Sequence, residues 1–326
     1  MRKSRYILSV VGCLLAAVLS LCLGQTVMWP WEIAASFRSA DTVCRSIFLY
    51  ARLPRTIACL ITGAALAVSG AVLQNVLNNK LASPGIIGVN AGAGLGVSLC
   101  CAFGLLSGWA ISVSAFLGSL IAAAVITLIA YGSGASKITV ILSGVALNSI
   151  LNAASEAICV LVPDVSVMNV DFRVGGFSSV SYGKLAPAAF LITAALFVIF
   201  LFRNELEVLT LGDETAGGLG MRVKAYRFFF LGLAAIAAGA AVSVAGLLGF
   251  VGLVVPHAAG KLFGGETGRL LPMSAILGAT LVTVCDLMAR LLFMPYELPV
   301  GVLLSAIGGP TFIVLLLRRR GGRSRA

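Results

Sequence analysis

The stretch FFFLGLAAIAAGAAVSVAGLLGFVGLVVPHAAGKLF, residues 228–263, carries a single charged side chain, Lys261. A helix crosses the hydrocarbon core of a bilayer with about 20 residues, so this run is too long for one crossing, even a tilted one. Gly246, Gly249 and Gly252, followed by Pro256, supply a break, because proline removes a backbone donor and clashes with the carbonyl four residues back. The run therefore reads as a helix, a bend near 246–256, and a half-length element at 252–263. That reading decides the count, since it adds a tenth apolar span to nine others.

The nine lie at 7–27, 53–76, 91–106, 109–131, 138–162, 185–202, 228–250, 270–293 and 298–317. Composition requires such a solvent: of 326 residues 60% are hydrophobic and 11% charged, with mean hydropathy +1.06, whereas soluble domains run near a quarter charged. The apolar runs are continuous and do not alternate, which selects helices over a barrel. The fold class is an all-α polytopic membrane protein. The first span has the charged start of a signal peptide, but at 21 residues with nine spans after it, it reads as a retained helix.

Both ends are basic, MRKSR at the start and RRRGGRSR near the end. Basic ends favour the cytoplasm, so an even number of spans is expected. With ten spans the cytoplasmic segments hold 16 of the 23 Lys and Arg and the outer ones 7. This asymmetry accounts for much of the +11 net charge, and no nucleic-acid partner is implied. The topology that follows is multi-pass, with both termini cytoplasmic. Seven of the eight cysteines fall in apolar spans, Cys44 stands alone outside them, and no CxxC occurs. Neither a disulfide framework nor a metal site is proposed.

Residues 63–72, GAALAVSGAV, and 239–248, GAAVSVAGLL, match in both outer glycines and most small residues at an offset of 176. Five crossings apart, they would run in opposite directions, an inverted repeat of spans two to five and seven to ten such as transporters carry. Chance similarity among small-residue membrane helices is the alternative.

Asn148, Asn152 and Glu156 recur every four residues in span five and so share one helical stripe. A carboxylate at membrane depth faces a cavity or a partner, which makes these candidate pathway residues; interhelical hydrogen bonding is the alternative for the asparagines. His257, the one histidine, follows Pro256. It reads as structural, donating to a carbonyl freed by the proline, since one imidazole without neighbouring ligands makes a poor metal site. In the loop 203–227, Gly212 suits a helix stop, Asp213 can cap the next helix, and Gly220 ends it, giving a helix pair or a solvated loop. Arg52 and Arg55 flank Pro54, and Arg290 sits near the far end of span nine. They run against the positive-inside trend, either snorkelling to lipid phosphates or meeting acidic groups of a partner.

Four separated motifs, RLPRTIACLITGAALAVSGAVLQNVLNNKLASPGIIGVNAGAGLG (52–96), LGDETAGGLG (211–220), GFVGLVVPHAAGKLFGG (249–265) and ELPVGVLLSAIGGPTFIVLLLRR (297–319), resemble the permease subunits of binding-protein-dependent ABC importers of the iron-siderophore, haem and cobalamin class (FecCD type, type II importers). The resemblance implies a single permease domain that pairs with a second copy or a paralogue in the lipid bilayer. It also implies two cytoplasmic ABC ATPase subunits, an external substrate-binding protein, and an iron chelate or cobalamin-like cargo. It makes Leu211, Gly212, Asp213, Glu214, Leu219 and Gly220 the ATPase-coupling element, Arg52, Arg55 and Arg290 the docking arginines, and Gly249, Gly252, Pro256 and His257 the motif at the break. Span five would line the translocation path. The sequence departs from the pattern at Lys80, Ser83, Gly217, Gly218 and Gly260. No G-x-x-x-x-G-K-[ST] occurs, so no nucleotide site is expected on this chain; the resemblance puts ATP and Mg on the partner ATPase. An ion-coupled secondary transporter would share the repeat but would be expected to show a cluster of carboxylates, and Glu156 stands nearly alone. An intramembrane enzyme finds no paired acids or nucleophile with a base.

Overall fold

The computed structural model describes residues 2–37, 42–132 and 137–320, so the last six residues of the basic C-terminus lie outside the described residues. Every regular element among the described residues is helical. Ten principal helices answer to the ten spans: α1 Arg2–Cys22, α2 Leu53–Val76, α3 Val89–Ala102, α4 Gly108–Gly132, α5 Lys137–Leu161, α6 Tyr182–Leu201, α7 Val223–Ala245, α8 Val251–Phe263, α9 Thr267–Leu291 and α10 Val300–Arg320. Helices α3 and α8, of 14 and 13 residues, reach only about 20 Å each. The half-length eighth element is therefore present, and the glycine-rich third span is short as well.

Helices α2, α7 and α9 form the buried centre, with α4, α8 and α6 around them. Small residues let their backbones approach closely, as packing in lipid requires. A Cβ added at Gly63 would collide with the carbonyl of Gly278 in α9, and one at Gly70 with the carbonyl of Gly252 in α8.

The two halves repeat their packing. Helix α2 lies on α9 as α7 lies on α4, and α3 pairs with α4 as α8 pairs with α9. Gly63 of α2 meets Gly278 where Gly239 of α7 meets Ser119 of α4. Gly144 of α5 packs on the carbonyl of Ile86 in the α2–α3 link, as Gly308 of α10 packs on Phe250 in the α7–α8 link. This is the relation between spans two to five and seven to ten that the repeated small residues suggested.

The break differs in detail from the sequence reading. Helix α7 ends at Ala245, Gly246 turns the chain at φ 69°, Phe250 takes φ 65°, and α8 starts at Val251. Gly249 lies in the link, but Gly252, Pro256 and His257 lie inside α8. Gly252 serves close approach to α2, and Pro256 is absorbed rather than breaking the helix. Its missing N–H leaves the carbonyl of Gly252 without a helical donor, and the buried Gln74 of α2 supplies one: Nε2 donates to Gly252 O at 3.4 Å and to Leu253 O at 3.3 Å. Gln74 is thus one donor to the carbonyls beside the proline, and half-buried His257 follows the proline inside α8.

The link itself is held by its neighbours. Leu247 N donates to Phe172 O at 2.9 Å, Gly176 N to Ala245 O at 2.8 Å, and Gly301 N to Gly175 O at 3.2 Å. Two short helices, Pro163–Met168 and Val170–Val174, bring those partners to the break.

Span two also begins earlier than its apolar run suggests. A short helix Thr42–Ser46 and a π-helical turn Ile47–Arg52 lead straight into α2. In the wider turn Leu53 N reaches Phe48 O, and Pro54, next in line, cannot donate to Leu49. The hydroxyl of Tyr182 donates to that carbonyl instead, at 2.7 Å.

Candidate functional site

The face carrying the 203–222 loop is called the loop face here. At the opposite ends of α2 and α9 the three arginines converge, but they turn inward. Arg52 and Arg290 are only 6% and 4% exposed. Arg52 Nη1 donates to Leu21 O at 2.8 Å and Cys22 O at 2.6 Å, and its Nη2 donates to Thr26 Oγ1 at 3.0 Å and to Thr26 O. Arg290 Nη2 donates to Ser20 Oγ at 2.8 Å and Nη1 to Leu23 O at 3.3 Å. Both therefore cap the C-terminus of α1, where unpaired carbonyls and the helix dipole favour cations.

Between Arg55 and Arg290 lies Asp286, a carboxylate with no exposed surface. Arg55 Nε donates to Asp286 Oδ1 at 3.0 Å and Nη1 donates to Glu297 Oε2 at 2.8 Å. Arg290 Nε stands 3.1 Å from Asp286 Oδ2, an ion pair without a directed hydrogen bond. The cluster thus holds three guanidiniums and two carboxylates: Arg55 and Arg290 meet the carboxylates, and the carbonyls at the end of α1 offset the charge of Arg52. The sequence reading missed Asp286, although its spacing of four from Arg290 is a helical pairing signal. It also put all three arginines at the surface. Only Arg55 can be reached, at the edge of a cavity of about 380 Å³ that Asp171, Lys184 and Glu297 also line.

The α5 stripe divides. Asn148 is half-buried and donates from Nδ2 to Gly85 O at 2.8 Å, tying α5 to the α2–α3 link. Each step of four residues turns about 40° around a helix, so Asn152 and Glu156 have rotated off that contact and are exposed. They share this open side with Leu142, Val145 and Val160. Deeper in, Ser155 of α5 meets Ser98 of α3 at 2.8 Å, and buried Asn169 donates to Ser98 Oγ at 3.0 Å.

On the loop face the expected helix pair is present, as helices Arg203–Thr210 and Asp213–Gly218. Gly212, at φ 100°, separates them, and Gly220, at φ 83°, closes the second. Gly220 N donates to Gly217 O and Met221 N to Ala216 O, a Schellman ending in which glycine avoids the left-handed penalty. Asp213 is the first helical residue and not the cap. Its carboxylate accepts twice from Arg227 Nη2, at 2.7 Å to each oxygen. Leu211, Glu214 and Leu219 point into open space.

The pair is joined to three helices. Asp213 binds α7 through Arg227, Glu207 Oε2 accepts from Thr267 N at the start of α9, and Asn78 Nδ2, just past α2, donates to Thr210 O at 3.4 Å. These are the three helices of the buried centre. A displacement of the pair has a direct route into the core.

Comparison with known proteins agrees with this geometry. A model of the FecCD transport family matches residues 12–318. The probable siderophore transport system permease protein YfhA of Bacillus subtilis is 37% identical over 98% of this chain and 96% of its own length. The hemin transport system permease protein HmuU of Yersinia pestis is 36% identical over 96% and 97%. Among solved structures, a metal-chelate type ABC transporter in an inward-facing conformation superposes with a TM-score of 0.86 at 27% identity, covering 97% of this chain and 99% of that one.

Proposed function

The chain belongs to the FecCD transport family, and from that premise we propose that it moves an iron chelate, a siderophore complex or haem, into the cytoplasm. The observation that carries this is the match along nearly the whole chain to permeases of siderophore and hemin transport systems. Two cytoplasmic ATPase subunits bind ATP and Mg and push on the loop face, which is then the cytoplasmic face; both termini lie on that side. An external binding protein delivers cargo at the opposite face. A second copy, or a paralogue, covers the open side of α5, so that Asn152 and Glu156 line a pathway between the two while Asn148 holds α5 in place.

The ATPase meets Leu211, Glu214 and Leu219, which are exposed on the helix pair. On the opposite face docking falls to Arg55, because Arg52 and Arg290 are occupied by α1. The test is uptake into vesicles holding this chain with its ATPase, with external binding protein, using iron-55 in hydroxamate, catecholate and citrate chelates, and haemin. ATP-dependent accumulation of one of them supports the reading. Accumulation at the same rate without ATPase, driven by an ion gradient, overturns it in favour of a secondary transporter. Deletion of 207–220 is expected to abolish transport, and R55E to weaken binding-protein association without releasing the ATPase.

A further inference from the structure

Arg227 stands near the start of α7 and is only 2% exposed, while the Asp213 carboxylate that it grips is 48% exposed. Such a buried guanidinium is costly unless paired, and no motif reading assigned it a role. Its position suggests one. Between the 213–218 helix and α7 the chain runs through four residues, 219–222, including Gly220 in a left-handed turn. A short glycine-containing turn is a hinge and fixes no angle by itself. The Asp213–Arg227 pair spans that hinge, and two charge-assisted hydrogen bonds from a planar guanidinium fix the angle between the helices.

We propose that Arg227 is a positioning residue through which movement of the 213–218 helix reaches α7. Helix α7 then carries the movement along its roughly 34 Å to the 246–250 link. This rests on the reading that the loop is where the ATPase pushes. The link is the responsive end: it is unwound, it contains Gly246 and Phe250 at positive φ, and backbone hydrogen bonds tie it to the 172–176 segment.

Hydrogen–deuterium exchange of the chain in complex with its ATPase, with and without a non-hydrolysable ATP analogue, tests this. In the unmodified complex nucleotide alters exchange both in the 213–222 peptide and in the 241–256 peptide. In D213N the first response persists and the second shrinks by about fivefold, within the range that a contacting charge pair contributes. The D213N/R227M double variant, which leaves no buried charge unpaired, gives the same loss at 241–256 and guards against a folding defect in the single variant. A full response at 241–256 in either variant overturns the proposal. If the unmodified 213–222 peptide ignores nucleotide, the coupling role of the loop fails instead.

Discussion

Replacing Asp286 with alanine should be among the most damaging single changes in this chain that touch no cargo. Asp286 is fully buried and faces Arg55 at 3.0 Å and Arg290 at 3.1 Å. Its loss leaves Arg52, Arg55 and Arg290 against Glu297 alone, raising the local net charge from +1 to +2. One charge contact at about 4 Å and an effective dielectric of about 20 contributes ~4 kcal/mol, and breaking a buried pair from one side costs about 3–5 kcal/mol. At roughly 2 °C per kcal/mol for a large chain, the melting temperature should fall by roughly 8 °C. D286N, which keeps an acceptor but no charge, should fall between. The assay is thermal unfolding of the detergent-solubilised chain, followed by tryptophan fluorescence. The D286A/R55M double variant restores the net charge to +1 and should recover at least half of the loss, because replacing both members of a buried pair by apolar groups is often nearly neutral. A loss below about 1 kcal/mol in D286A, the value of an exposed pair, would refute the reasoning, as would a double variant no better than the single one.

Q74L should cost about 1–3 kcal/mol by stranding the Gly252 carbonyl, and P256A, which returns an N–H to α8, should suppress most of that cost in the same melting assay. G70V places a branched side chain against the Gly252 carbonyl; overpacking there costs 3 kcal/mol or about that, and the yield of monodisperse protein on gel filtration should collapse. G220A puts a Cβ at φ 83° for about 1–2 kcal/mol; being local, the effect should appear as faster amide exchange in 213–222 with the global melt unchanged.

What could be read from the sequence follows from which forces act locally. The bilayer imposes a length of about 20 apolar residues, so spans are legible; the polar NN pair at 78–79 follows the end of α2, whereas its start is not legible, because helix runs back from Leu53 through the π-helical turn. The helix pair on the loop face was legible for a similar reason: Gly212 and Gly220 carry the positive φ that only glycine adopts cheaply. The sequence reading of Pro256 fails because its effect depends on Gln74, which is 178 residues from the freed Gly252 carbonyl. Where a donor from a neighbouring helix meets the freed carbonyl, a proline stays inside a helix instead of breaking it. Asp213 reads as a cap because serine-like capping is a local rule; two charge-assisted hydrogen bonds from Arg227 Nη2 offer more than one neutral N–H, and Arg227 takes the carboxylate.

The arginines show the same limit most plainly. Charge at membrane depth says that a partner exists, and the sequence reading supplied that partner from outside the chain. The structure supplies it from within, through Asp286 and the exposed carbonyls of α1. Helix α1 lies outside the repeated halves, yet Arg52 and Arg290 hold its end against α2 and α9 at one face, and Arg5 Nη1 donates to Leu262 O, at the end of α8, at the other. The extra helix is thus fastened at both faces to helices of the buried centre or their neighbours. A first span that could pass for a signal peptide by its composition is, by its contacts, a brace across the second half of the repeat.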